Sequence, residues 1–209
     1  MSKAEWIARQ SAHPRGWLGR LVARVMAWDT AGVNDQALEA LSVGPGEEIL
    51  ELGCGHGRTL ARLAAQQPTA RLWGVDPSEV MRRAATRRNR AGVAAGRVQI
   101  EDGHSGKLPF ESGRFDAAFS VHTIYFWPDL SEGLVELFRV LRPGGRLLLV
   151  HRPDDPGLRS ELPASVYRLH STHALEVALD EAGFREIETR EQKDQKSPVA
   201  LTLAQTPLQ

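Results

Sequence analysis

The sequence contains little cysteine, no excess of either charge and no long apolar run. Its single cysteine, Cys54, excludes an internal disulfide and a zinc site built from cysteines. Lysine and arginine together number 26, as do aspartate and glutamate, which argues against a nucleic-acid binder that works through a broad basic face. No apolar stretch approaches the roughly 20 residues that span a bilayer, and no secretory signal is apparent. We therefore expect a cytoplasmic protein without stable membrane insertion.

The composition is typical of one globular domain. The chain has 209 residues, 42% of them hydrophobic and 25% charged, and this length can bury a substantial core. We expect one compact unit in which residues 1–42 form an N-terminal helical lid or cap and residues 43–209 form the main domain. The helix predicted around Trp17 has an apolar face and an arginine-rich face. Such a helix can pack on the core, close over a site as a lid, or lie on a membrane surface.

Short apolar runs alternate with helical patterns along the middle of the chain. The predicted strands are 48–52, 71–76, 97–102, 115–121 and 146–150. The predicted helices between them are 59–67, 77–91 and 130–141. Nearly continuous apolar strands that alternate with helices indicate a parallel sheet covered on both faces, which is a doubly wound α/β fold.

The pattern loosens after residue 150. Three prolines and a glycine predict an irregular loop over 151–163. Ser171 is a candidate N-cap for a helix that ends at Gly183. Two final strands are predicted at 184–189 and 199–203, joined by a charged hairpin connection.

The first strand leads into a glycine-rich turn. Gly53, Gly55 and Gly57 allow the backbone to turn sharply and bring its N–H groups close to a ligand at the start of the next helix. Cys54 within this turn is better interpreted as a small filler than as a nucleophile. Glu51 lies at the carboxyl end of the strand, where open parallel sheets bind their ligands. A carboxylate at that position indicates a ligand that carries a positive charge.

Two further acids end the next two predicted strands. Asp76 follows the second strand and Asp102 follows the third, so with Glu51 they are expected to line one crevice. Asp76 is placed to accept hydrogen bonds from two ribose hydroxyls. Asp102 can accept from an adenine amine, with the N–H of Gly103 serving a ring nitrogen. For each single acid the alternative is a helix N-cap, and this competes most strongly at Asp76.

A dinucleotide site is the main competing interpretation of the glycine turn. The NAD fingerprint requires a third glycine where Arg58 stands, for close packing of the helix on the strand. A phosphate would also gain nothing from Glu51. An adenosine ligand that has no phosphates and carries a cationic group fits these residues better.

The motifs together resemble the class I S-adenosylmethionine-dependent methyltransferases. The segments that carry the resemblance are 51–57 (ELGCGHG), 75–78 (VDPS), 102–103 (DG), 108–110 (LPF), 115–116 (FD) and 141–145 (LRPGG). The resemblance covers residues 45–152, and the combination of these segments is specific. The sequence looks most similar to small bacterial methyltransferases of the ubiquinone/menaquinone-biosynthesis type. The resemblance implies a Rossmann-like sheet of seven strands, mostly parallel, with an antiparallel last strand.

The resemblance also implies which residues hold the methyl donor, S-adenosylmethionine. The glycine turn would pass under its methionine part, Glu51 would lie near its ammonium, and a backbone carbonyl at the end of strand four would face that ammonium. Met81 can pack on the nucleoside or in the core. The complete set of implied cofactor residues is Glu51, Gly53, Cys54, Gly55, Gly57, Asp76, Pro77, Met81, Asp102, Gly103, His104, Ser120 and Val121.

The implied reaction is in-line transfer of the methyl group to oxygen, carbon or nitrogen of a small-molecule acceptor. An oxygen nucleophile needs a base, and His122, just past strand four, is the first candidate, with His151 after strand five the second. An aromatic acceptor pocket is predicted from Trp17, Tyr125, Trp127 and Tyr167. The seven histidines have no tight ligand spacing, so no metal site is expected. No nucleic-acid partner is expected either, and the sequence leaves the oligomeric state open.

Two other classes of function stay open at this point. A Rossmann-type oxidoreductase would use NAD in the same crevice. A non-catalytic protein could retain the fold and bind S-adenosylmethionine without transferring its methyl group.

Overall fold

The computed structural model describes residue 5, residues 38–193 and residues 198–208. The strands are β1 (Glu48–Leu52), β2 (Arg71–Val75), β3 (Val98–Glu101), β4 (Phe115–Val121), β5 (Leu141–His151), β6 (Arg185–Lys193) and β7 (Pro198–Gln205). The helices are α1 (Arg58–Gln66), α2 (Glu79–Arg88), α3 (Arg90–Ala94), α4 (Leu130–Val140), α5 (Pro156–Glu161) and α6 (Thr172–Glu181), with a 3-10 helix at Ile124–Phe126.

The seven strands form one sheet in the order β3-β2-β1-β4-β5-β7-β6. The strands from β1 to β5 pair in parallel, and β7 runs antiparallel to both β5 and β6. The predicted doubly wound sheet with one antiparallel final strand is confirmed. Because the chain turns to opposite sides on leaving β1 and β4, the crevice of this fold lies at the carboxyl ends of these two strands.

The apolar residues of the strands form two buried clusters. Leu50 and Leu149 belong to one cluster, together with residues of α4 and α6. Ile49 and Leu148 belong to the other, together with residues of α1. Successive residues of a strand point to opposite faces, so strands that are apolar throughout supply both clusters at once.

The last residues of the N-terminal segment, from residue 38 on, pack into the core. Residues 38–41 are helical, and Leu41 is completely buried in the second cluster. Trp17 and most of the predicted lid lie outside the described residues, so the lid stays a prediction. No helix in the described ranges is long and apolar enough to cross a membrane.

The structure corrects several predicted boundaries. The helix predicted over 77–91 breaks at Asn89 into α2 and α3, because the Asn89 side chain donates to the carbonyl oxygens of Gly57 and Ala85. Pro77 lies outside the helix, since Ser78 is the N-cap. The predicted irregular loop after β5 contains the short helix α5, which Asp155 caps through bonds accepted from two backbone N–H groups.

The last part of the chain follows the prediction more closely. Ser171 caps α6 by accepting from the N–H of Ala174, as its sequence position predicted. Strand β6 extends to Lys193, so residues 190–193, expected in the hairpin connection, continue the sheet instead.

Candidate active site

The glycine turn after β1 has the predicted left-handed backbone. Gly53, Gly55 and Gly57 have φ angles of 78°, 52° and 72°, which residues other than glycine rarely adopt. A Cβ at Gly53 would overlap the side chain of Thr123, and one at Gly57 would lie 2.6 Å from the amide nitrogen of Asn89. A Cβ at Gly55 would meet nothing within 4 Å. Packing therefore requires two of the glycines, whereas the third faces open space.

Glu51 is buried beside this turn without a complete set of partners. Its side chain is 3% exposed, and its Oε2 atom is buried with no hydrogen-bond partner. The pKa of this carboxyl is raised to about 8, mainly by burial and also by the nearby Asp76, while a hydrogen bond from Thr59 opposes the rise. Near neutral pH the carboxyl is protonated until a cation approaches. A buried acid of this kind fits a ligand that carries an ammonium group.

Asp76 joins the glycine turn to the helix after β2. Its Oδ2 accepts from the N–H of Gly55 at 2.9 Å, and its Oδ1 accepts from the N–H of Ser78 at 2.8 Å. The bond to Ser78 lies before α2 begins, so Asp76 is not the N-cap of that helix. Each carboxylate oxygen has more than one lone pair, so it can accept more than one hydrogen bond.

Arg82 connects the ends of β2 and β3, although no sequence motif marked it as a site residue. Its Nη1 donates to the backbone oxygen of Asp76 and to Oδ1 of Asp102, both at 2.8 Å. The side chain of Asp102 is 72% exposed, whereas that of Arg82 is 19% exposed. The position of Arg82 one helical turn after Ser78 was the only local signal. This ion pair holds the predicted adenine-binding acid at the rim of the crevice.

The remaining cofactor residues predicted around these acids differ in exposure. Met81 and Cys54 are buried, whereas Pro77 and His104 are exposed. Burial raises the pKa of the Cys54 thiol, which favours the interpretation of this residue as a filler. Gly103 lies against the side chain of Val75, where a Cβ would approach to 3.0 Å. Their contacts with a cofactor stay predictions.

Thr123 joins the end of β4 to the glycine turn, and it is a second site residue that no sequence motif marked. The Thr123 side chain packs against Gly53, and its hydroxyl bonds to the hydroxyl of Ser120. The indole N–H of Trp127 donates to the same Thr123 oxygen at 3.2 Å. Ser120 is completely buried and Val121 is partly exposed. Contact between Thr123 and Gly53 brings the ends of β1 and β4 together at the crevice.

His122 has an unusual backbone and a defined side-chain partner. Its φ angle is 55°, and its N–H donates to the backbone oxygen of Val150 at 2.8 Å. Its Nδ1 lies 3.1 Å from the hydroxyl oxygen of Tyr125. The same oxygen accepts a hydrogen bond from the backbone N–H of Arg152. Tyr125 is 4% exposed, and burial raises its pKa well above the usual range. The ends of β4 and β5 therefore meet through this buried hydroxyl.

Aromatic rings cluster next to His122. The ring centroids of Tyr125 and Tyr167 are 6.1 Å apart, and those of Phe126 and Tyr167 are 5.0 Å apart. Trp127 is 5% exposed, and its ring packs against Gly133, so it supports the cluster from the core side. The predicted contacts of Tyr125, Trp127 and Tyr167 with an acceptor stay predictions.

His151, the second candidate base, has no exposed surface. Its Nε2 lies 3.4 Å from the hydroxyl of Thr202, and burial lowers its pKa to about 4. The imidazole is therefore neutral at physiological pH. A catalytic role for His151 stays a prediction.

Known proteins match this chain in both sequence and structure. A family model described as a methyltransferase domain matches residues 50–149. The uncharacterized methyltransferase YdaC of Bacillus subtilis is 27% identical over 69% of this chain and 77% of YdaC. The demethylmenaquinone methyltransferase of Deinococcus radiodurans is 32% identical over 66% of this chain and 55% of that protein. A Haloferax volcanii methyltransferase, solved in complex with the Trm112 methyltransferase activator, superposes with a TM-score of 0.78 at 20% identity over 99% of both chains.

These matches differ in how much they establish. The Haloferax volcanii structure, at its low identity, supports the fold alone. The chain spans only 30% to 62% of the length of seven curated relatives that it matches. The matched residues 50–149 contain β1 to β4 and most of β5, together with the glycine turn and all three acids.

The strand order, the glycine turn and the three acids define a Rossmann-like fold of the methyltransferase type. Residues 50–149 match the methyltransferase domain family, and the named relatives are methyltransferases. Together with the fold, these matches support a class I S-adenosylmethionine-dependent methyltransferase.

Proposed function

We propose that this protein transfers the methyl group of S-adenosylmethionine to a small-molecule acceptor. The observation that carries the proposal is the buried, unpartnered Oε2 atom of Glu51, in the strand that leads into the glycine turn, where a Cβ at Gly55 would meet open space. An ammonium group of a ligand in that space would complete the bonding of Glu51. A nicotinamide dinucleotide would place phosphates by this turn, where a carboxyl group is unfavourable.

The cofactor residues follow from this placement. When bound, S-adenosylmethionine supplies an electrophilic methyl group on a sulfonium. Glu51 would receive the ammonium, Asp76 the ribose hydroxyls and Asp102 the adenine. The backbone at Ser120 and Val121 would face the methionine part from β4. These residues fix the position of the donor, and a fixed donor contributes to the rate through alignment.

The acceptor would lie beside His122, against the aromatic cluster of Tyr125, Phe126 and Tyr167. We propose that Trp127 supports this wall and that Trp17 closes the pocket from the N-terminal segment. The cluster favours an aromatic or apolar acceptor. The demethylmenaquinone methyltransferase of Deinococcus radiodurans is named for an acceptor of this kind. His122 would contact the acceptor, as a base or as a hydrogen-bond donor.

Three expectations about partners and location stay predictions. They are the cytoplasmic location, the absence of a nucleic-acid partner and the absence of stable membrane insertion. Fractionation of cells that express the tagged chain would test the location.

The proposed cofactor site can be tested with two alanine variants that impose a similar backbone strain. Gly55 and Gly46 both have positive φ angles, 52° and 78°, and a Cβ at either meets nothing within 4 Å. Gly55→Ala would put a methyl group into the proposed cofactor space, whereas Gly46→Ala would not. We expect S-adenosylhomocysteine to bind at least tenfold more weakly to Gly55→Ala and with unchanged affinity to Gly46→Ala, as measured by isothermal titration calorimetry.

Two outcomes would contradict the proposal. One is thermal stabilisation of the protein by NAD and by neither S-adenosylmethionine nor S-adenosylhomocysteine. The other is binding of the cofactor without transfer of its labelled methyl group to any member of a broad panel of phenols, quinols and amines. The second result would identify a binding protein that retains the fold.

A further inference from the structure

The hydroxyl of Tyr125 has a restricted set of hydrogen-bond partners. Its oxygen accepts from the backbone N–H of Arg152 and lies 3.1 Å from Nδ1 of His122. The tyrosine is 4% exposed, so water does not readily reach the hydroxyl. Within the described residues, Nδ1 of His122 is the one acceptor atom in hydrogen-bond contact with this hydroxyl.

The direction of the bond between Tyr125 and His122 follows from these partners. The N–H of Arg152 can only donate, so it occupies a lone pair of the tyrosine oxygen. The hydroxyl proton must then find its own acceptor, because a buried polar hydrogen without one is unfavourable. Nδ1 of His122 can be that acceptor only if this nitrogen carries no proton. In the neutral imidazole the proton is then on Nε2.

We propose that Tyr125 is a positioning residue that fixes His122 in the Nε2–H tautomer, so that His122 offers the acceptor a hydrogen-bond donor rather than a base. This inference rests on the proposed function, since it assumes that the acceptor lies beside His122. It goes further by assigning His122 one of the two roles that the proposed function leaves open.

The other tautomer would be disfavoured by the same contacts. A proton on Nδ1 would point at the tyrosine oxygen, and the hydroxyl proton would lose its acceptor in a buried position. Leaving one buried donor unsatisfied corresponds to a roughly tenfold to hundredfold preference for the Nε2–H form. The positive φ angle of His122 and the bond from its N–H to Val150 hold the backbone from which the ring projects.

The assignment constrains the methyl acceptor. As the bond between the acceptor atom and the methyl carbon forms, the carbon–sulfur bond breaks, and its electron pair stays on sulfur. No proton passes to His122 in this step. The acceptor must therefore supply its own lone pair, as an ionised phenol or enol or as a neutral amine. The Nε2–H group can bond to an anionic oxygen and favour its ionised form.

The test is nitrogen NMR of the full chain with ¹⁵N-labelled histidine, at a pH where the ring of His122 is neutral. The His122 signals are assigned by their loss in His122→Gln. We expect a protonated Nε2 and an unprotonated Nδ1, with the Nδ1 resonance shifted by a hydrogen bond. In Tyr125→Phe that shift should disappear and the Nδ1–H form should increase. Tyr167→Phe, which removes the hydroxyl of a neighbouring ring, is the control and should leave both signals in place.

A protonated Nδ1 in the wild-type protein would overturn the inference, and so would an Nδ1 resonance that does not move in Tyr125→Phe. If that variant does not fold, the wild-type spectrum alone decides which nitrogen carries the proton. Binding of S-adenosylhomocysteine is measured on the same samples. Loss of binding with the expected tautomer would contradict the proposed function alone, whereas normal binding with the opposite tautomer would contradict this inference alone.

Discussion

Replacing Glu51 with glutamine should change how the stability of the protein depends on pH. Burial raises the pKa of Glu51 to about 8 from the ordinary value of 4.5 that applies in the unfolded chain. Between these values the unfolded chain is ionised at Glu51 and the folded protein is protonated there. The folded state therefore binds more protons at Glu51, so the contribution of Glu51 to stability falls as pH rises from about 4.5 to 8.

The size of this effect follows from the two pKa values. Each pH unit within the window removes about 1.4 kcal/mol from the free energy of unfolding, which is roughly 5 kcal/mol over the whole window. Glutamine has nearly the shape of the protonated acid and does not titrate. The stability of Glu51→Gln relative to the wild type should therefore rise by about 3 kcal/mol between pH 5.5 and 7.5.

The assay is urea unfolding of the cofactor-free protein at pH 5.5, 6.5 and 7.5, followed by tryptophan fluorescence. Glu79→Gln serves as the control, since this acid is exposed and pairs with Arg83 on the surface of α2. Its stability relative to the wild type should stay constant to within about 0.5 kcal/mol. A similarly constant difference for Glu51→Gln would refute the argument that Glu51 is protonated in the cofactor-free protein.

Three further predictions concern the support of the site. Arg139→Ala removes bonds donated to the backbone oxygen of Phe110 at 2.8 Å and to neighbouring groups, and should lower the free energy of unfolding by roughly 2 kcal/mol in urea titrations. Gly57→Ala should lower the free energy of unfolding by roughly 2 to 4 kcal/mol in the same assay, and the control Gly96→Ala should lower it by about 1 kcal/mol. The two glycines have similar φ angles, but only at Gly57 would the added Cβ lie under 3 Å from other atoms. Burial lowers the pKa of His151 to about 4, so the contribution of His151 to stability falls as pH falls from 6.5 to 4, opposite in direction to that of Glu51. The stability of His151→Gln relative to the wild type should therefore rise by up to about 3 kcal/mol between pH 6.5 and 4.

The order of the secondary structure could be predicted from the sequence because its signals are local. The apolar run 115–121 was predicted with the same bounds as β4, and Ser171 was identified as the cap of α6. The break at Asn89 was missed because its cause is a bond to Gly57, which lies 32 residues earlier in the chain. A helical pattern extends through such a residue until tertiary contacts interrupt it.

The positions of Glu51, Asp76 and Asp102 followed from the sequence, because each comes at the end of an apolar run and parallel strands share one edge. Their chemical states did not follow from it. The raised pKa of Glu51 depends on how completely the fold removes water from it, and the pairing of Asp102 depends on Arg82 lying across the gap between two strands.

The sequence by itself indicated the fold class through the periodicity and spacing of its residues, which are local properties. It indicated the methyl donor and the residues expected to hold it through the resemblance of its motifs to a known family. Only the tertiary structure determined which groups meet across the crevice: Thr123 against Gly53, and the hydroxyl of Tyr125 between His122 and Arg152. Hydrogen-bond direction and protonation depend on neighbours distant in sequence, so a role for His122 could be proposed only from the folded structure.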